Sequence, residues 1–195
     1  MKSTLSIIEP LESRIAPAYG HFIASEDGHT ATYDDVDGDH VTVKVSMGFI
    51  ANQAPPGAVL GIEEGPLGNG SGYLRYLDLT NTGFNHANIT FTVVKVPGGD
   101  GLANVGAIFG GTNDFGSVTV KGDLGKIDVG SNTPGTPAAK SLTVRSMGRL
   151  GIDTQATASG DRPPQSDYFV STLTGGLGTL KVLSLIHISE PTRPY

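Results

Sequence analysis

The sequence predicts an all-β protein: an N-terminal antiparallel β region followed by a short right-handed parallel β-solenoid, with an antiparallel sandwich or barrel as the alternative. Three observations lead there. Charged residues make up only 16% of the chain while glycine takes 28 of its 195 positions, a turn-rich balance that disfavours helices. Several runs alternate apolar and polar residues with the period of two that a half-buried strand requires. Beyond residue 98 a short motif recurs at a step near 23 residues, the signature of stacked coils.

Over residues 19–97 strand-like runs alternate with turn clusters. The clearest strand is Val41-Thr42-Val43-Lys44-Val45, and Thr30-Ala31-Thr32-Tyr33 precedes it across an Asp-rich, Gly-containing turn, which predicts a hairpin. Ile89-Thr90-Phe91-Thr92-Val93 repeats the alternation after a region holding Leu74, Leu77 and Leu79. Ala54-Pro55-Pro56-Gly57 and the Gly-rich passage from Gly61 to Gly72 read as a long connecting loop.

Over residues 98–182 the repeated unit is apolar-Gly-polar-apolar, found at Phe115-Gly116-Ser117-Val118, Leu124-Gly125-Lys126-Ile127, Met147-Gly148-Arg149-Leu150 and Leu177-Gly178-Thr179-Leu180. Each opens a short strand: Val118–Val120, Ile127–Val129, Leu150–Ile152 and Leu180–Val182, with Leu142–Val144 as a variant lacking the glycine. Val118 to Leu142 is a step of 24 residues and Ile127 to Leu150 one of 23, which predicts that each coil lays its apolar residues on the next. A polar insertion around Thr154 to Asp167 stretches the last coil.

The two ends read differently. Residues 1–18 carry Lys2, a short apolar patch at Leu5, Ile7 and Ile8, and an Ala16-Pro17-Ala18 step, but Glu9, Pro10 and Glu12 interrupt the apolar run that a standard secretory signal needs. The segment Ile8–Ala18 resembles the LEPR-like N-terminal segment of large exported proteins of planctomycete-type bacteria, through Glu9, Pro10, Leu11, Glu12, Arg14 and Ala16. Ser13 stands where that pattern has proline. The repeat text Val118–Gly130 and Ser141–Gly151 is similar to the repetitive regions of the same proteins, and the resemblance implies export or surface display. Leu183 to Tyr195, LSLIHISEPTRPY, resembles a translated sequencing adaptor, so residues 183–195 are expected to be a non-native tail on a truncated solenoid.

Candidate chemistry is confined to one cluster. In Asp34-Asp35-Val36-Asp37-Gly38-Asp39 the alternate carboxylates Asp35, Asp37 and Asp39, with a glycine at the sharp turn, can converge on a hard cation, and Ca2+ favours such oxygen-rich shells. The loop is not an EF-hand, because its twelfth position from Asp35 is Ser46 in a predicted strand. A solvated turn has the same composition. His40 adjoins the cluster, but His21, His29, His40, His86 and His187 show no helical metal spacing. There is no Gly-x-Ser-x-Gly, no cysteine nucleophile or thiolate site, and Gly122–Ile127 lacks the spacing of a phosphate loop.

The formal charge of −6 and the lack of clustered Lys and Arg argue against nucleic acid as a partner, and no apolar stretch is long enough for a transmembrane helix. The expectation is therefore a secreted or cell-surface protein without enzymatic activity, serving structure or adhesion, with a cell-envelope component or polysaccharide as partner and Ca2+ as the candidate cofactor. Two alternatives stand beside it: the N-terminal part of a large exported polysaccharide-active β-helix enzyme, and a calcium-stabilised structural β module.

Overall fold

The computed structural model describes residues 22–50, 59–65, 70–148 and 170–183. The expected export segment 1–18, His21, the turn 54–57, the strand at 150–152, the insertion at 154–167 and the tail beyond Leu183, with His187, lie outside these residues.

Within them the chain is all-β, with one 3-10 turn at Thr82–Phe84. Eleven strands form one curled, mixed sheet: β1 Ile23–Ala24, β2 Thr30–Asp34, β3 His40–Val45, β4 Leu60–Glu64, β5 Gly72–Asp78, β6 Ile89–Val94, β7 Val105–Gly111, β8 Phe115–Val129, β9 Ala139–Met147, β10 Thr172–Leu173 and β11 Leu177–Val182. The hairpin read from alternation is present: β2 and β3 pair antiparallel with Tyr33 opposite Val41 and Thr30 opposite Lys44. β1 extends it on one side and β6 on the other, both antiparallel. Ala31, Tyr33, Val41, Val43 and Val45 point into the core while their alternate neighbours stay at least partly accessible, so the period of two fixes which face is buried.

From β6 onward the pairing is parallel. β8 is the spine: its first half lies between β6 and β9, and its second half between β7 and β10. Val118 sits beside Ile89 on one side and Leu142 on the other, and Leu142 sits beside Leu180 of β11. The 24-residue step from Val118 to Leu142 is thus a hydrogen-bonded register, and Leu124 opposite Met147 gives the 23-residue step. Ile89, Val118 and Leu142 are at most 1% exposed. Each such side chain contributes about 1.5–3 kcal/mol by leaving water.

Two expectations are corrected. The stretches Val118–Val120 and Ile127–Val129 are not two short strands but parts of one strand of 15 residues. The chain stays extended because Gly122 admits the backbone of the neighbouring segment: Ala103 N–H donates to the Lys121 carbonyl at 2.9 Å, and a Cβ on Gly122 would lie 1.8 Å from the Ala103 carbonyl oxygen. Register slips between Val120 and Asp123, and the inward-facing positions change from Val118, Val120 and Leu124 to Ile127 and Val129 as the strand crosses the curl.

The second correction concerns Gly61 to Gly72, expected to be loop. Its first part belongs to β4, which pairs antiparallel with β5 across a bulge at Gly61 and Ile62. Gly61 holds its place there because the Tyr76 ring covers it, filling the space a side chain would need.

Candidate functional site

The predicted Asp cluster forms at the end of the β2–β3 hairpin. Asp35 N–H donates to the Asp39 carbonyl at 3.0 Å and Gly38 N–H to the Asp35 carbonyl at 3.0 Å, closing a tight turn in which Gly38 adopts φ +91°. That positive φ is open to glycine at little cost. The turn gathers carboxylate oxygens of Asp35, Asp37 and Asp39 to within 4.8 Å of one another. Asp35 and Asp39 are buried, and Asp37 is the more open of the three.

The cluster is held from two directions. Asp35 Oδ1 accepts the backbone N–H of Asp39 at 3.0 Å and that of Asp37 at 3.3 Å, an arrangement local to the turn. The other contacts come from a segment far away in sequence. Asp39 Oδ1 accepts Val96 N–H at 2.7 Å, Asp39 Oδ2 accepts Gly101 N–H, and Asp37 Oδ2 accepts Asp100 N–H at 2.8 Å. Gly99 makes room for this, since a Cβ there would lie 1.8 Å from Asp39 Oδ1. The 95–101 segment was visible as a turn cluster, Pro97-Gly98-Gly99-Asp100-Gly101, but nothing in the sequence aims its amides at Asp39.

Crowding the carboxylates leaves an electrostatic mark. Asp35 is pushed up to about 8, first by burial and then by the hydrogen bond and the charge it shares with Asp37, with the charge of Asp39 adding to the effect. Burial also works against ionisation of Asp37. There the hydrogen bonds from Asp35 and from the backbone N–H groups of Asp100 and Asp39 outweigh it and hold the carboxyl below its ordinary value. Tyr33, two residues before Asp35, is raised by burial and then by the Asp35 charge, and its buried hydroxyl has no hydrogen-bond partner among the described residues. Three carboxylates this close need a proton or a cation among them, and Asp37 Oδ2 and both Asp39 oxygens, each accepting one backbone amide, keep a second lone pair for a ligand. Asp35, Asp37 and Asp39 are the residues that fit Ca2+ by donor type and spacing.

The other candidates do not join them. His40 turns to the opposite face of the hairpin, where its Nδ1 pairs with Asp34 Oδ1. Glu63, on β4 and apart from the cluster, makes an ion pair with Arg75 Nε at 2.6 Å. Gly122–Ile127 is strand backbone, and Asp123 within it accepts the Ser146 hydroxyl at 2.6 Å.

Fold and cluster together define an all-β protein with an acidic turn that clasps a neighbouring loop. Comparison with protein-family models, curated proteins and solved structures finds no match for this chain. Among the described residues no helix is long and apolar enough to cross a membrane.

Proposed function

We propose that this chain is a non-enzymatic structural module of an exported, cell-surface protein, in which parallel strands stack as the first coils of a β-solenoid. The observation that carries the reading is the stacking itself. Phe115 faces Ala139, Val120 faces Val144 and Val144 faces Val182, so the same strand is laid down repeatedly with its apolar residues in register. Such an array transmits load along its axis and presents a long regular surface, which suits a scaffold or adhesion role. The resemblance of Ile8–Ala18 to an export segment supports the compartment in this reading.

The Asp35–Asp37–Asp39 turn serves that role as a clasp, with Ca2+ as the ion it holds in a calcium-containing exterior. The ion ties the β2–β3 hairpin to the 95–101 segment at the point where the antiparallel strands give way to the parallel ones.

Antibody labelling of intact and lysed native cells tests the compartment and the role together. Label on intact cells is the expected result. Label that appears only after lysis contradicts the reading, and hydrolysis of a polysaccharide by the purified chain would favour the enzyme alternative.

A further inference from the structure

Four strands of the parallel stack and its antiparallel neighbour carry no acidic residue at all: β6, residues 115–121 of β8, β9 and β11. The same strands carry Lys121, Lys140, Arg145 and Lys181, in a chain whose net charge is −6. No ion pair joins any of the four to a carboxylate among the described residues. Lys121, Arg145 and Lys181 lie on the outer face, while Lys140 shares the parity of Leu142 near the start of β9. Val118, Val120, Leu142 and Val144 point inward, so alternation sends Thr119, Lys121, Thr143 and Arg145 outward.

Register converts these positions into rows. Thr90, Thr119 and Thr143 stand side by side on β6, β8 and β9, with Lys44 of β3 at one end and Lys181 of β11 at the other. Strands about 4.8 Å apart make this a line of hydroxyls about 19 Å long between its two ammonium groups. In the adjacent row, Lys121 and Arg145 follow the paired Val120 and Val144 on neighbouring strands. Ser117 and Ser141 pair on the other side of the threonines.

We propose that this face binds an anionic polysaccharide, a linear chain bearing uronate or sulfate groups. Hydroxyl rows exchange hydrogen bonds with sugar hydroxyls, and the cations at intervals along and beside the row meet the acidic substituents. The aromatic side chains of these strands, Phe91 and Phe115, are buried in the core, so the face lacks the stacking platform that single-stranded nucleic acid uses. The inference rests on the surface-module reading and deepens it. It is tested on the purified chain, whereas surface labelling is read on cells, so either can fail without the other.

The experiment is titration calorimetry of the full chain with polygalacturonate in chelator at low ionic strength, with neutral dextran, duplex DNA and anionic phospholipid vesicles as comparison probes. Polygalacturonate is expected to bind, dextran to bind at least about tenfold more weakly, and added salt to weaken the interaction. Lys121→Glu with Arg145→Glu should lower affinity by about tenfold or more, while Lys121→Arg with Arg145→Lys retains it. Thr119→Val with Thr143→Val keeps the charges and should still weaken binding several-fold, with circular dichroism confirming that each variant is folded. The proposal is overturned by absence of polygalacturonate binding to the unaltered chain, by charge-reversed or hydroxyl-free variants that bind as well as it does, or by equal binding to DNA or to vesicles.

Discussion

Asp39 and Gly101 lie 62 positions apart in sequence, yet the Asp39 carboxylate accepts the Gly101 backbone N–H, and its other oxygen accepts Val96 N–H at 2.7 Å. One fully buried side chain therefore fastens the β2–β3 hairpin to the segment that leads into β7. Hydrogen bonds to an ionised acceptor are each worth about 1.5–3 kcal/mol, and removing the acceptor strands two amides. Asp39→Ala is expected to cost about 3 kcal/mol or more in urea denaturation. A loss below about 1 kcal/mol would mean that the clasp is replaceable by water.

The carboxylate cluster also predicts how stability depends on pH. Between its ordinary value near 3.8 and about 8, folded Asp35 keeps a proton that the unfolded chain has released. Without Ca2+ its contribution to stability therefore falls as pH rises across that window and is level above it. Asp37, held below 3.8, contributes in the opposite sense, and its part is lost only as pH falls through that lower range. Bound Ca2+ replaces the proton, so saturating Ca2+ should flatten the Asp35 trend and raise the urea midpoint most near pH 8. Asp37→Ala should abolish the Ca2+ effect. Urea midpoints that ignore Ca2+ at every pH would remove the ion from the account.

Leu142 and Leu180 are neighbours in register but differ in environment: Leu142 is 1% exposed and Leu180 is 53% exposed. Leu142→Ala is expected to cost about 2–5 kcal/mol, as in a closed core, whereas Leu180→Ala should change stability by less than about 1 kcal/mol. Equal costs would show that the apolar column is covered beyond β11.

Gly122→Ala tests the close approach at the centre of β8. The added methyl meets the Ala103 carbonyl, which is backbone and cannot swing aside. A loss of at least about 2 kcal/mol in thermal or urea denaturation is expected, and a loss below about 1 kcal/mol would show that the Ala103 segment moves aside.

How much of this was legible in the sequence depends on how local the signal is. β2, β3 and β6 show strict alternation and were readable, as was the step from Val118 to Leu142, because both are patterns of side-chain type. β7 was not. Val105-Gly106-Ala107-Ile108-Phe109-Gly110 is buried almost throughout, so it has no polar face to set a period, and its glycines and alanine look like loop. β4 was hidden in the same way by Gly61, whose purpose appears only with Tyr76 above it. The Asp35, Asp37 and Asp39 cluster could be read from spacing alone, while the amides of Val96, Asp100 and Gly101 that hold it could not, since a backbone donor carries no sequence signature.

The central claim is that β3, β6, β8, β9 and β11 stand side by side in one continuous stack. Because the chain has no cysteine, nitroxide labels can be placed at Lys44→Cys and Lys181→Cys alone, and their separation measured by pulsed electron resonance. Four strand steps predict a single narrow distribution centred at about 19 Å, widened by the label arms. A distribution centred beyond about 30 Å, or several unresolved distances, would place β3 and β11 outside a common stack and contradict the account.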